Sequence, residues 1–519
     1  MPLSESKLLV RVDAGIQAGT ERVRSIHALA REFRQRGGQA TIVCNEIPNA
    51  LRRRIEHDCI TVQQIANVAG SVDDCFETKE IIDQERPDWL AIDGAIFDGN
   101  YINQIAAAIK YVAIIDGSPR GQADLLVGDG EADSANANWD GFGDQVERLT
   151  GPDFSMVDSM QARQPLDRKA VAQAKKILVW IAGADIDNWT LQTLQSLSDL
   201  TSKGTASKRL IVDCLVGPQY KHLAELENFK RHSNASLRIH KNLDRIEPLA
   251  ERAELAIASG HTGCYSLAYF GIPTILISTP ESNTNIIAAL HQNRAAFSIA
   301  HETHPNTDRT PTIVDTIKNL LQDQFKRHSL SHHAMDLVDG QGIKRIVNRM
   351  ACCSLSLRLA EDADCATIWH WRNDPEVRSV ALDREPIAWS THSNWFDEAQ
   401  ADPNQQIWIT ENAAGQTIGE IDFRFDDHHN QAEINMILDQ KCRSRGAGVL
   451  LIETALKHLF ATTDIKYVVA QMRSGNIASE KSFRAAGFQA IAPAIVDGVM
   501  ASQFLFERDS EANRFTKAA

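Results

Sequence analysis

The sequence predicts an α/β protein in which two doubly wound α/β units are followed by a smaller unit with a different order of elements. Three observations carry this reading. Apolar strand-like runs alternate with helical patterns between residues 7 and 117. The same alternation restarts at residue 175. From about residue 355 the rhythm changes to short strands that follow two helical stretches. Strands alternating with helices imply parallel sheets covered on both faces, and such sheets bind ligands at the carboxyl ends of their strands.

In chain order, 7–13 (KLLVRVD) reads as a strand. The segment 20–37 reads as a helix, with Val23, Ile26, Leu29 and Phe33 at helical spacing and Gly37 as its stop. A second strand is 39–44 (QATIVC), and 89–94 (WLAIDG) and 111–117 (YVAIIDG) repeat an apolar run that ends in Asp-Gly. In the second unit, 175–185 is strand then turn, 188–200 helix and 209–217 strand, with short strands at 255–260 and 274–279 around the helical 264–271. The join lies within 151–167, and the basic stretch 342–354 bridges to the last unit. There, strands at 406–410, 417–425 and 432–438 precede a glycine turn and a helix, and the strand 465–472 precedes a final helix. The expected domains are 1–165, 166–348 and 353–512.

At 519 residues the chain is too long for one ordinary domain. Its charged fraction of 24% suits a globular protein, and its net charge of −14 with no basic tail argues against a nucleic-acid partner. No long apolar run suggests a membrane span, and 1–10 (MPLSESKLLV) does not read as a signal peptide. The nine cysteines form no CxxC pair, so no metal site or disulfide framework is expected and a reducing cytoplasm fits best. Oligomeric state is left open by the sequence.

The sharpest motif is 442–460 (CRSRGAGVLLIETALKHLF), which places Arg443, Gly446 and Gly448 between a strand and a helix. Unpaired N–H groups at a helix start bind anions, and glycines let a pyrophosphate approach them. Downstream, 474–488 (SGNIASEKSFRAAGF) puts Asn476 and Ser479 three apart on a helical face. With 371–378 (WRNDPEVR) and 391–396 (THSNWF), this layout resembles the Gcn5-related N-acetyltransferases (GNAT), most of all those that acetylate a sugar amine in nonulosonic acid biosynthesis. The resemblance implies acetyl-CoA as cofactor, lying in a splay between two strands. Ile434 and Leu438 would bound the backbone that pairs with pantetheine. Arg443, Arg445, Gly446, Ala447 and Gly448 would hold the pyrophosphate, and Asn476 and Ser479 would contact the cofactor. Arg372, Asn373, His392 and Trp395 are the implied acceptor-binding residues. Glu433, acting directly or through water, and Asp422 are the candidate bases. Phe483 stands where many relatives carry a tyrosine and cannot donate a proton.

The first two units resemble the UDP-sugar hydrolases of the pseudaminic acid pathway, which share a GT-B-type fold of two Rossmann-like domains. The resemblance rests on 11–22 (RVDAGIQAGTER), on the turn at Gly183, on the domain-crossing 151–157 (GPDFSMV) and on 237–277, which contains Gly260, His261 and Thr262. It implies a nucleotide-linked amino sugar as partner, with Gly260 to Thr262 near its phosphates. Arg11, Asp13 and Gly19 match the family's opening motif, but Glu21 and Arg22 replace its Gly-His pair. Arginine stays protonated and cannot act as base. Asp13, and Glu21 if one residue is skipped, remain the catalytic candidates of this half. The family's Asp-Asp pair reads Asp116-Gly117, its ribose-binding glutamate reads Ser266, and its Asn-Gln pair reads Asn283-Thr284. Three functions follow: an amino-sugar N-acetyltransferase fused to an altered hydrolase-like half, a bifunctional acetyltransferase and hydrolase, or a non-catalytic nucleotide-sugar-binding assembly protein.

Overall fold

The computed structural model describes residues 2–12, 20–94, 96–115, 121–128, 146–159, 168, 171–181, 185–202, 210–217, 219–233, 235–241, 243, 246–280, 282–299, 310–426, 428, 430–443, 446–496 and 498–508. The chain divides into two compact units, one of residues 8–32 and 40–346, the other of 1–7, 33–39 and 347–519.

The larger unit contains two parallel sheets. The strands of the first are β1 (Lys7–Val12), β2 (Gln39–Cys44), β3 (Thr61–Gln64), β4 (Trp89–Asp93), β5 (Tyr111–Ile115), β6 (Leu125–Gly128) and β7 (Glu147–Thr150), in the order β3-β2-β1-β4-β5-β6-β7. Helices α1 (Thr20–Gln35), α2 (Asn49–His57), α3 (Val72–Glu85) and α4 (Gly99–Ala106) alternate with them. Val23, Ile26, Leu29 and Phe33 of α1 are all fully buried, as their spacing predicts. The second sheet has β8 (Lys176–Trp180), β9 (Ile211–Val216), β10 (Ser236–Lys241), β11 (Leu255–Ser259), β12 (Thr274–Ile277) and β13 (Phe297–Ile299), in the order β10-β9-β8-β11-β12-β13. Its helices are α5 (Trp189–Ser202), α6 (Leu223–His232), α7 (Glu247–Arg252), α8 (Gly263–Tyr269), α9 (Thr284–Gln292), α10 (Thr310–Gln322) and α11 (Gln324–Leu337). Apolar clusters lie on both faces of this sheet, around Leu178 and Leu276 on one and Val179 and Ile275 on the other. In each sheet the strand order reverses, next to β1 in the first and β8 in the second. Such a reversal opens a crevice at the carboxyl ends of the strands.

Helix α12 (Gly342–Cys353) begins in the larger unit, ends in the smaller one and leads into the third sheet. Its strands are β14 (Ser356–Leu359), β15 (Gln405–Glu411), β16 (Thr417–Phe425), β17 (Gln431–Leu438), β18 (Tyr467–Arg473), β19 (Gln489–Val496) and β20 (Val499–Glu507), in the order β14-β15-β16-β17-β18-β20-β19. All pairings are antiparallel except β17 with β18. Helices α13 (Cys365–Arg372), α14 (Pro375–Val380) and α15 (Trp389–Ala401) come before β15, with α16 (Ala447–Thr462) and α17 (Ile477–Ala485) either side of β18. Ile368, Trp371 and Phe396 from α13 and α15 pack with Ile407 and Ile409 of β15.

Among the described residues, no helix is long and apolar enough to cross a membrane. No group of three or more His, Cys, Asp or Glu among them could hold a metal ion.

Candidate active site

The smaller unit has an open place in its sheet. Parallel pairing between β17 and β18 runs from Gln431 with Tyr467 to Ile434 with Ala470 and stops there. Both strands continue, β17 to Leu438 and β18 to Arg473. On its other side β17 stays paired with β16 as far as Leu438 with Gly419. The result is a wedge whose β17 edge, residues 435–438, faces away from its only continuing ladder. Backbone N–H and C=O groups are obligatory hydrogen-bonding groups, so an open edge of this kind is a binding surface for an extended polar ligand.

The glycine turn lies at the start of α16. Gly446 adopts φ +78°, a left-handed conformation that favours glycine, and Ala447 begins the helix. A Cβ on Gly448 would meet Ser482 Oγ at 2.9 Å and Met436 Cε at 3.4 Å. The first turn of α16 therefore closes on both β17 and α17, and only a residue without a side chain keeps that space. Arg443 is spoken for by protein groups. Its Nη1 donates to Asp374 at 2.9 Å and Glu376 at 3.0 Å, while Nε and Nη2 donate to the Leu438 carbonyl, both at 3.1 Å. It ties the start of α14 to the end of β17 and braces the turn. Arg445 lies outside the described residues. Asn476 caps α17, accepting from the Ser479 N–H at 3.2 Å. Phe483 is buried edge-on against Phe488, with ring centres 5.0 Å apart. It is Ser482, whose Oγ donates to Ala478 O, that α17 presents to the turn.

Directly opposed residues of an antiparallel pair share a sheet face. Glu420 stands opposite Ile437, Asp422 opposite Asn435 and Arg424 opposite Glu433, so Glu420, Asp422, Glu433 and Asn435 share one face. Glu433 is half-buried, with Asn435 Nδ2 at 3.4 Å. Asp422 is buried and accepts from Gln405 Nε2 at 2.8 Å. Arg372, at the end of α13, donates from Nε to Glu420 at 2.9 Å, and its guanidinium carbon lies 3.8 Å over the Trp395 ring centre. Of the expected acceptor residues, Arg372 and Trp395 therefore meet on one side of Asp422. His392 is fully buried beside Trp395 and donates from Nε2 to the Cys365 carbonyl. Asn373 braces the loop before α15, bonding Trp369 O, Ile387 O and Ile387 N. Asn373 and His392 are thus both held by protein groups.

Glu420 was missed by the sequence reading. Burial pushes its carboxyl up to about 7, with Asp422 adding to the rise and Arg372 opposing it. The only sequence signal was its place two residues before Asp422, which puts both on one face of a strand.

The larger unit holds a second candidate site, an open cleft of about 590 Å³. Its wall includes Asp93 at the end of β4, Gly128 at the end of β6, and Thr262, Tyr265 and Ser266 around the start of α8. Arg22 also lines it and donates from Nη1 to Asp93 at 2.9 Å. Of the residues expected here, Arg22, Thr262 and Ser266 are thus brought together. Asp13, Gly19, Gly183, Asp116 and Gly117 lie outside the described residues, as does the Glu21 side chain. Arg11 does not face the cleft with a free head group. It is fully buried, with Nη2 bonded to Asp74 at 2.7 Å and Asn45 at 2.8 Å and Nε bonded to Tyr101 at 3.2 Å. Gly260 packs so closely that a Cβ would meet Asn283 O at 2.5 Å. Asn283 caps α9, accepting from the N–H groups of Asn285 and Ile286. His261 accepts from Gly263 N–H on Nδ1 and donates from Nε2 to Trp180 O, and burial holds it down to about 4. It is a neutral brace of the turn before α8.

Residues 354–489 match the family model described as an acetyltransferase (GNAT) domain. The chain therefore carries a GNAT acetyltransferase domain. An uncharacterised protein of Methanocaldococcus jannaschii is 22% identical over 508 residues, covering 93% of this chain and 96% of that one. Among solved structures, spermidine N-acetyltransferase from Vibrio cholerae in complex with CoA and spermine is similar at 18% identity, over 30% of this chain and 95% of that one, with a TM-score of 0.28. An aminoglycoside acetyltransferase in complex with coenzyme A is similar at 16% identity, over 32% of this chain and 99% of that one, with a TM-score of 0.29. Acetyl-CoA is the cofactor of a domain of this family, and the residues present fit it. Beyond Ile434 the edge of β17 parts from β18, and the turn beside it carries an exposed Gly446 and a Gly448 that packs against Ser482 and Met436 with no room for a side chain.

Proposed function

We propose that the chain is an acetyl-CoA-dependent N-acetyltransferase whose acceptor is an amino sugar carried on a nucleotide, as in nonulosonic acid or other surface-glycan synthesis in the cytoplasm. The observation that carries the acetyl transfer is the wedge between β17 and β18, which ends at the glycine turn and lies beside a carboxylate-bearing sheet face. In this reading the backbone from Ile434 to Leu438 and the first turn of α16 hold the cofactor. Bound acetyl-CoA supplies an activated acetyl thioester.

The acceptor amine must be neutral to attack. Glu433 is the better placed of the two candidate bases, because it is half-buried on the open face, whereas Asp422 is buried and engaged by Gln405. Carboxylates draw the ammonium form in, and the proton then passes to Glu433 directly or through water. Trp395 and the exposed Trp389 offer flat apolar surface for a sugar ring beside those charges.

The larger unit is assigned a nucleotide-sugar site of its own, within domains spanning 1–165 and 166–348 of GT-B type, ahead of the transferase domain at 353–512. Supporting this is the cleft at the carboxyl ends of β4 and β6 with Thr262 and Ser266 on its wall. Hydrolysis is left out of the proposal. Arg22 stands in the slot of the family's histidine and is bonded to Asp93, and a guanidinium does not accept a proton.

The test is incubation with acetyl-CoA and a panel of UDP-linked amino sugars, with acetylated product and free UDP followed by mass spectrometry. Acetylated sugar without UDP release is expected. Absence of acetylated product with every member of the panel sinks the reading.

A further inference from the structure

On the same sheet face as Glu433 lies a charge cluster that cofactor binding leaves unexplained. Arg372 Nε donates to Glu420 Oε1 at 2.9 Å, and Arg372 Nη2 is 3.7 Å from Asp422 Oδ2. The guanidinium carbon lies over Trp395, 3.8 Å from the ring centre. The Glu420 side chain is only 2% exposed, and its Oε2 is buried with no hydrogen-bond partner among the described residues. A buried carboxylate oxygen left without a donor is costly, and native proteins keep such a group where it serves a purpose.

The geometry suits a clamp. Glu420 and Asp422 are two apart on β16, so both carboxylates project to the same face and reach one guanidinium from α13. An arginine side chain is long and flexible, and here ion pairs on one side and an indole on the other hold it in a plane. The cluster sits at the level of residues 435–438, one strand from the open wedge, because Glu420 pairs with Ile437. Charged and titratable neighbours are Arg372 from α13, His392 from α15, Asp422 and Arg424 on β16, and Glu433 on β17.

We propose that Glu420 is a positioning residue of the acceptor site, which together with Asp422 fixes the Arg372 guanidinium against Trp395 and so shapes the shelf on which an amine-bearing sugar is seated. The proposal rests on the acetyltransferase reading. Arg372 and Arg424, whose Nε lies 3.9 Å from Asp422 Oδ2, face Glu420 and Asp422, and with Glu433 on the same sheet face three carboxylates meet two guanidinium groups; when all are ionised the excess negative charge favours a cationic amine over a neutral acceptor. Burial keeps the Glu420 carboxyl up to about 7, so the excess charge appears as pH rises through neutrality. Burial holds His392 below its ordinary range, so its titration falls at lower pH.

The test uses the full chain with Glu420→Gln, Arg372→Lys and Trp395→Phe. Steady-state kinetics over a pH series are read together with tryptophan fluorescence. Glu420→Gln is expected to raise the acceptor KM about tenfold while leaving the acetyl-CoA KM unchanged, and to flatten the rise of kcat/KM near neutrality. Arg372→Lys, which keeps charge but loses the planar fork, should share the KM effect. The emission difference between wild type and Trp395→Phe isolates Trp395 among the nine tryptophans. It should titrate near pH 7, and the titration should vanish in Glu420→Gln. An unchanged acceptor KM together with an unchanged Trp395 titration in Glu420→Gln overturns the proposal. Wild-type protein that transfers no acetyl group overturns the acetyltransferase reading, and the acceptor role with it. In that case the fluorescence titration still decides whether Glu420 controls Arg372. Should Glu420→Gln fold poorly, Arg372→Lys and Trp395→Phe carry the KM comparison.

Discussion

Arginine meets carboxylate in both units, with opposite consequences. In the larger unit two arginines sit in close ion pairs. Arg11 and Asp74 are both fully buried at 2.7 Å, and Arg22 meets Asp93 on the cleft wall at 2.9 Å. In the smaller unit one guanidinium faces two carboxylates, one of them raised to about 7, beside a sheet edge that is left open. A matched pair inside a protein is a structural joint, and removing one partner leaves an uncompensated charge. An unmatched cluster beside open backbone keeps charge available for a ligand. The contrast teaches that an arginine beside a carboxylate is by itself no sign of a binding site.

The comparison breaks most visibly at Arg11. Arg11→Leu strands Asp74 without its ion pair, and a loss of about 3–5 kcal/mol in urea unfolding is expected. Stability within experimental error of wild type would mean that Arg11 is held for a ligand instead. Next in size, Glu433→Gln should lower kcat for acetyl transfer about a hundredfold with little change in acetyl-CoA binding. An unaltered kcat would move the base to Asp422 or to water. Gly448→Val should fill the approach between α16, Met436 and Ser482 and weaken acetyl-CoA by roughly tenfold or more, measured by calorimetry, with the melting temperature recorded as control.

A subtler effect concerns pH. The Glu420 carboxyl is raised from 4.5 to about 7, so the folded chain keeps a proton that the unfolded chain has released between those values. Its contribution to stability is complete below about pH 4.5 and is lost as pH rises through about 7. Glu420→Gln should remove that descending part of the stability profile, read from urea melts between about pH 5 and 8. A profile parallel to wild type would show that Glu420 titrates as an ordinary carboxyl. The smallest expected change is at the cleft. If the proposed resemblance to UDP-sugar hydrolases holds, Arg22→His restores a histidine at that position, yet UDP release from a UDP-sugar should stay at background, because Glu21 and Ser266 also differ from the pattern it implies. Clear UDP release would show that the larger unit can hydrolyse a UDP-sugar once a base is supplied.

Much of the fold was legible because it is local. The run 39–44 reads as a strand and is one, and the helical spacing of Val23, Ile26, Leu29 and Phe33 marks the buried side of α1. The site was legible where its logic is also local. The glycine turn at 446–448 and the end of β17 lie within one short stretch of chain. Three other features were not. Arg11 was expected at a substrate, but its partner Asp74 is 63 residues away. His392 was expected at the acceptor, but it bonds Cys365, 27 residues earlier. Glu420 attracted no notice, because its partner Arg372 is 48 residues distant.

The sequence by itself therefore determined the alternation of strands and helices, the helix-start glycines, and the presence at position 22 of an arginine, which cannot accept a proton. Each of these is a matter of residue type and short-range spacing, which the backbone reads within one or two turns. Only the tertiary structure decided which arginines are locked, where β17 and β18 part, and that Glu420 keeps its proton toward neutrality. Those properties depend on water being excluded and on charges meeting across long stretches of chain, and neither is written in any local pattern.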